Sequence, residues 1–329
     1  MNGTTVGDAA PIRIAAVQAT PAFLQREATV ARACELIHEA ARQGARLVVF
    51  PEAFVPTYPL WVWHVPAGDS ITLRALHAEL VDQAVVVPGP VTERLGDAAR
   101  AAGAAVAIGV NERNVEASGT SLFNTLLLFD EQGRLRSRHR KLVPTGGERL
   151  VHAPGDGSTL AVHDLGWAKL SGLVCWENYM PLARYALYAW GAEVHVAPTW
   201  DRGEPWLSTL RHIAKEGRVY VVGCCSAVRR EDVPDAYAFK GRYLPPAAWV
   251  NPGDSAIVDP DGRLLAGPTH EEETILYAEV DLRVVRGARF QLDVAGHYAR
   301  PDVFELRVRR QPRPLVAAAE DDSEAPVVG

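Results

Sequence analysis

The 329-residue chain reads as an α/β protein in which mixed β-sheets are covered by helices. Three observations predict this class. Short apolar runs recur along the sequence, as expected of strands buried on both faces. Segments with apolar residues spaced three and four apart alternate with them, the order that βαβ units produce. Two links between runs, Asp130-Glu131-Gln132-Gly133 and Pro260-Asp261-Gly262, are turn sequences of the kind that close antiparallel hairpins.

The first run, Ile12 to Gln18, ends at Thr20-Pro21 and reads as a buried strand. Residues 25 to 43 place Ala28, Ala31, Leu36, Ile37 and Ala40 near a 3.6-residue period, so an amphipathic helix follows, closed by Gly44. Arg46 to Phe50 is the next strand, and its end delivers Pro51-Glu52. A helix over 91–102 ends at Gly103, and a strand over 104–110 carries Asn111-Glu112-Arg113 at its end. Residues 121–129 and 134–141 flank the first hairpin turn.

Leu170 to Val174 is an apolar run ending at Cys175, and Pro181 opens a segment of helical spacing. Beyond it the pattern predicts a helix over 181–190, a strand over 192–198, a helix over 205–217 and a strand over 219–227. The second hairpin spans 256–265, and a last strand covers 274–281. With no linker or composition shift in the middle, residues 11–307 read as one domain. Residues 1–10 read as a disordered N-terminus and 308–329 as a disordered tail of Pro, Ala and acidic residues. The polar stretch 229–253 reads as a long loop, suited to a lid or an interface.

Composition narrows the function. Hydrophobic residues make up 48% and charged residues 22%, ordinary for a soluble globular protein, and a net charge of −6 argues against a nucleic-acid or acidic-membrane surface. Four cysteines, at 34, 175, 224 and 225, show neither CxxC spacing nor disulfide density, which fits a reduced cytoplasmic setting. The N-terminus lacks the pattern of a secretory signal, and the charge-poor stretch 53–68 is broken by prolines and too short for a membrane span. The histidines form no HxxxH or HxH pair, so no metal site and no cofactor are expected.

Strand ends deliver three reactive side chains: Glu52, Lys141 and Cys175. Each has a plain structural role open to it. Glu52 fits an exposed acid at a loop start, Lys141 the end of a solvated basic run (Arg134 to Lys141), and Cys175 a small buried thiol. The alternative for Cys175 is a nucleophile at a helix N-terminus, where backbone N–H groups favour thiolate. Glu148, in the loop after Lys141, could return a second carboxylate toward it. Cys224 and Cys225 sit in an apolar strand and read as core packing.

Taken in order, these stretches resemble the nitrilase superfamily of carbon-nitrogen hydrolases, and within it the true nitrilases. The resemblance is carried by Val48-Val49-Phe50-Pro51-Glu52-Ala53-Phe54, His139-Arg140-Lys141-Leu142-Val143-Pro144-Thr145 and Gly172-Leu173-Val174-Cys175-Trp176-Glu177-Asn178. Val194 to Trp200, Gly253-Asp254-Ser255 and Gly296 to Asp302 follow in family order, so that it covers roughly residues 11–305. It implies a four-layer α-β-β-α sandwich and a homodimer or larger homo-oligomer, up to a spiral filament.

The resemblance also implies roles. Glu52 would be the general base, Cys175 the nucleophile, Lys141 the positive charge that lowers the thiol pKa and steadies charge on nitrogen, and Glu148 a positioning carboxylate. Tyr58, Trp176 and Thr199 would line the substrate pocket, with the Trp176 backbone N–H as an oxyanion-type donor and Trp61 and Trp63 at the entrance or an interface. The expected reaction is hydrolysis of a nitrile to carboxylic acid and ammonia. An amidase, an N-carbamoyl amide hydrolase or a cyanide-hydrolysing enzyme uses the same chemistry, and a non-catalytic scaffold is the reading from a different class.

Overall fold

A computed structural model describes residues 11–312. The expected disordered N-terminus, and the part of the expected tail from 313 onward, lie outside the described residues.

Two sheets carry the fold. The first orders its six strands β13-β1-β2-β3-β4-β5, from β1 (Ile12–Gln18), β2 (Leu47–Val49), β3 (Ala105–Arg113), β4 (Leu122–Phe129), β5 (Leu135–Arg140) and β13 (Thr274–Val280). Here β1, β2 and β3 run parallel, whereas β13, β4 and β5 join antiparallel. The second orders β10-β11-β9-β8-β7-β6, with β12 paired to β11. Its strands are β6 (His163–Asp164), β7 (Lys169–Gly172), β8 (Val194–Thr199), β9 (Tyr220–Cys225), β10 (Ala227–Arg229), β11 (Trp249–Val258) and β12 (Leu264–His270).

The period-2 alternation of side chains explains the layering. Along β1, Ile14 and Ala16 face the second sheet and pack with Leu47, Val49, Leu126, Val194, Val196 and Val222. Ala15 and Val17 face the other way, onto helices α1 (Arg26–Arg42) and α3 (Pro90–Ala102), through Val30, Ala33, Ile37, Leu95 and Ala99. The outer face of the second sheet is covered by α5 (Gly203–Gly217), with Trp206, Leu210 and Ile213 against Val221 and Val258. The helix α4 (Pro181–Ala189) closes over Leu160 and Leu173. The order is helix, sheet, sheet, helix, the expected four-layer sandwich. Each leucine-sized side chain enclosed in these layers contributes about 1.5–3 kcal/mol.

Gly44 and Gly103 end α1 and α3 in the left-handed conformation, at φ 85° and 62°, as their placement predicted. Three helices go beyond the sequence reading: α2 (Ser70–Gln83), α6 (Ala238–Tyr243) and α7 (Leu282–Arg289). Asp69 caps α2, accepting the Thr72 N–H at 3.1 Å, and Asp281 caps α7 in the same way. The strand expected to stop at 110 continues through Arg113.

The stretch 229–253 is not one long loop. It contains α6 and the start of β11, and Phe239 is buried against Phe23 and Trp61. Trp61 is itself fully enclosed in this aromatic cluster, which removes it from any entrance. The chain from Leu306 to Arg310 returns to the sandwich: Leu306 and Val308 pack beside α4, and the Arg310 guanidinium lies over the Trp190 ring.

Candidate active site

The two sheets meet at one end around Glu52, Lys141, Glu148 and Cys175. Glu52 lies just past β2, where the chain crosses β3 at closest range over Gly109. A Cβ there would come within 2.4 Å of the Pro51 carbonyl oxygen and the Ala53 nitrogen, so only glycine admits this crossing. Lys141 follows β5, and its N–H bonds the Asn124 carbonyl at 2.8 Å. Glu148 lies in a single 3₁₀ turn, Gly146–Leu150, and accepts the Thr145 N–H at 2.9 Å.

Cys175 is reached from the second sheet. The expectation of a thiol at the N-terminus of α4 does not hold: Cys175 opens a separate 3₁₀ turn, Cys175–Tyr179, ahead of Pro181. Its φ of 51° is left-handed, a conformation costing about 1–3 kcal/mol outside glycine. Asn178 holds the turn, donating to the Leu173 carbonyl at 2.8 Å and the Cys175 carbonyl at 2.9 Å. His195 donates through Nε2 to Asn178 Oδ1 at 2.8 Å. Burial keeps the imidazole neutral by lowering its pKa to about 3.

The charged groups form one chain of bonds, all enclosed. Lys141 Nζ donates to Glu52 Oε1 and to Glu148 Oε2, each at 2.7 Å. Asn124 Nδ2 donates to the same Glu52 oxygen at 2.7 Å. Tyr58 donates to Glu148 Oε1 at 2.7 Å, and Trp63 Nε1 donates to the Tyr58 hydroxyl at 2.9 Å. Thr199 donates to Cys175 Sγ at 3.3 Å and accepts the Asp201 N–H at 2.8 Å. Glu52 Oε2 is buried without a hydrogen-bond partner among the described residues.

These contacts divide the protons. Burial, with Glu148 adding to it against Lys141, raises Glu52 from 4.5 to about 7. Glu148 stays below the ordinary carboxylate range, since Lys141 and His152 outweigh its burial. Burial would lower Lys141, but Glu52, Cys175 and Glu148 hold it above its ordinary value. Burial and the two carboxylates push the Cys175 thiol up, despite Lys141. The expected lowering of the thiol by Lys141 is therefore outweighed: Cys175 rests as a thiol beside a carboxylate poised near neutrality.

A cavity of about 240 Å³ opens onto Cys175 and Glu148. Tyr58, Trp63, Trp176, Trp200, Arg202 and Val250 help to line it, and Tyr58 stacks on Trp200 at 4.4 Å. Trp176 is half exposed at the mouth and donates through Nε1 to Asp201 at 2.7 Å. Thr199 is buried beside the thiol rather than along the cavity wall.

The sequence pattern of a carbon-nitrogen hydrolase matches residues 13–290. The chain belongs to the carbon-nitrogen hydrolase family. It is 43% identical over 306 residues to an aliphatic nitrilase of Sinorhizobium fredii (strain HH103), covering 92% of this chain and 97% of the relative. It is 41% identical over 307 residues to a bifunctional nitrilase/nitrile hydratase of Nicotiana tabacum, covering 91% and 86%. Among solved structures, an amidase of the nitrilase superfamily from Nesterenkonia superposes with a TM-score of 0.63 at 23% identity, covering 88% of this chain and 98% of that one. Nit3 of Saccharomyces cerevisiae gives a TM-score of 0.65 at 21% identity, covering 88% and 97%. These two establish the family fold.

Sequence reading passed over Asn124 and Asn178, which bond directly to Glu52 and to the Cys175 carbonyl. Asn124 lies inside an apolar strand, an unusual place for an amide, and that is the signal that could have found it. Among the described residues, no helix is long and apolar enough to cross a membrane.

Proposed function

We propose that this carbon-nitrogen hydrolase converts an organic nitrile to its carboxylic acid and ammonia. One observation carries the reading: the unpartnered Oε2 of Glu52, in an enclosed cluster with a lysine and a protonated cysteine at the foot of a small cavity. The roughly 40% identity to nitrilases over nearly the whole chain supports it.

Chemistry follows from where the protons rest. Glu52 takes the Cys175 proton through its free oxygen as sulfur attacks the nitrile carbon. Lys141 and the Trp176 N–H face the negative charge that grows on nitrogen, and a proton delivered there gives a covalent thioimidate. Water adds to its carbon, ammonia leaves, and a thioester remains. A second water, deprotonated by Glu52, releases the acid and returns the thiol. Glu148 holds Lys141 and the Tyr58 hydroxyl in place. Overall, one nitrile and two waters give one acid and one ammonia.

Incubation with aliphatic, aromatic and arylacetonitriles and their matching amides, following ammonia and acid, tests this. Nitriles are expected to turn over, with an adduct on Cys175 by mass spectrometry. Turnover of amides alone would move the enzyme to the amidases, and no turnover with no adduct would leave a scaffold. The proposal extends to a homo-oligomer in a reducing cytoplasm. Free cysteines at 34, 175, 224 and 225 support that compartment, and light scattering of the full-length protein tests the assembly.

A further inference from the structure

We propose that His139 and Glu177 are a positioning pair that holds the Lys141 strand end and the Cys175 turn in register across the contact between the two sheets. The inference rests on the reading of Cys175 as the nucleophile. Glu177 Oε1 accepts the N–H of Leu142, the residue after Lys141, at 2.8 Å. Glu177 Oε2 accepts the N–H of Val174, the residue before Cys175, at 2.8 Å. One carboxylate thus ties both reactive segments, the first leaving β5 and the second leaving β7. His139 Nε2 lies 3.0 Å from each of its oxygens, and His139 Nδ1 is 3.1 Å from Thr159 Oγ1.

Neither side chain lines the cavity, and both are fully enclosed. They act through the backbone and not on substrate. A carboxylate needs both oxygens as acceptors to hold two separate N–H groups. Without a cation beside it, a buried carboxylate takes up a proton, and one oxygen then becomes a donor facing an N–H. One of the two ties would break. Although burial opposes it, the contact with Glu177 raises the His139 pKa, and His139 in turn helps keep Glu177 below the ordinary carboxylate range. The His139 ring nitrogen, 3.0 Å from both oxygens, is what keeps the staple two-handed. A misplacement of about 1 Å at a reacting centre costs on the order of 100-fold in rate.

Full-length His139→Phe, His139→Gln and Thr159→Val test the pair. Three readouts are needed: kcat and KM on a turned-over nitrile, the rate of Cys175 alkylation by iodoacetamide followed on its peptide, and thermal unfolding. Phe keeps the volume but removes the donor. It is expected to lower kcat by roughly 10- to 100-fold, with KM within about twofold and alkylation slowed in step in a folded protein. Gln restores a donor and is expected to recover part of both rates.

A folded Phe variant that alkylates and turns over like the wild type overturns the pair, as does a Gln variant no better than Phe. Should the Phe variant not fold, Thr159→Val loosens the imidazole more gently. It is expected to slow both rates a few-fold, and unchanged rates overturn the proposal. Alkylation needs no nitrile. A wild type inert toward nitriles but alkylated faster than the variants would sink the nitrile reading and leave the pair standing.

Discussion

Glu52 Oε1 lies 2.7 Å from Lys141 Nζ inside the sandwich, while the second oxygen of the same carboxylate has no partner among the described residues. The lysine anchors one oxygen and leaves the other open for the proposed role as base. With the carboxyl raised from 4.5 to about 7 by burial, kcat/KM is expected to rise along an acid limb near pH 7. The sign for stability is opposite. A carboxyl that holds its proton more tightly when folded contributes stability below about pH 4.5, and that contribution is lost as pH climbs to about 7. Glu52→Gln is expected to abolish turnover and to flatten the fall of Tm with pH between 5 and 7. A Tm profile parallel to the wild type would contradict the assignment.

Glu148 is the second negative charge felt by Glu52, and it stays ionised. Removing that charge lets Glu52 ionise more readily. Glu148→Gln is therefore expected to move the acid limb of kcat/KM to lower pH, with a lower maximum because Lys141 and Tyr58 lose an anchor. An acid limb that stays in place or moves up would break the link between the two carboxylates.

Lys141 is the cation these two carboxylates share. Lys141→Met keeps much of the volume but strands two buried acids, a change that costs about 3–5 kcal/mol when one partner of a buried pair is lost. A clear drop in Tm, smaller at low pH where the acids take up protons, and loss of turnover are expected. Chemical denaturation across pH 5–8 would measure both effects.

Cys175→Ala separates chemistry from folding. The thiol is buried but small, so its removal is expected to change stability by no more than about 1 kcal/mol. Turnover is expected to vanish together with the covalent adduct. Retained hydrolysis of any nitrile by this variant would exclude a thioimidate route.

Most strands and the helices α1, α3, α4 and α5 are legible because their apolar periods are long or end at clear stops such as Gly44 and Gly103, whereas the two- and three-residue strands β6 and β10 and the first part of β11 are not. The helices that escaped notice have weaker signals. In α2 only Leu76, Leu80 and Val81 are buried, α6 is six residues long, and α7 buries Val285 alone. Their N-caps, Asp69 and Asp281, were the available clues for α2 and α7. Tertiary context decided the basic run 134–141. It looks like a solvated face, yet Arg138 and Arg140 turn onto buried Glu112, through Nε at 2.9 and 3.0 Å, while His139 and Lys141 point inward. No local pattern in a strand of alternating cations tells which side a missing counter-charge lies on.

Of the candidate site, Glu52, Lys141, Glu148 and Cys175 could be placed on strand ends and loops, and the structure brings all four together. The direction in which the Cys175 thiol is pushed could not be read in advance. It depends on burial and on distances between segments separated by many residues, such as Asn124 against Glu52.

Glu52 and Lys141 leave the first sheet, and Cys175 leaves the second. Neither half of the molecule assembles the cluster by itself, whether newly made or partly opened. A folding intermediate with one sheet formed would carry an exposed cysteine of ordinary acidity, open to stray electrophiles, whereas the closed sandwich encloses the thiol and pushes its pKa up. Turnover, which needs both sheets, is accordingly expected to be lost at the same denaturant midpoint as global structure, and turnover that outlasts unfolding would refute this coupling.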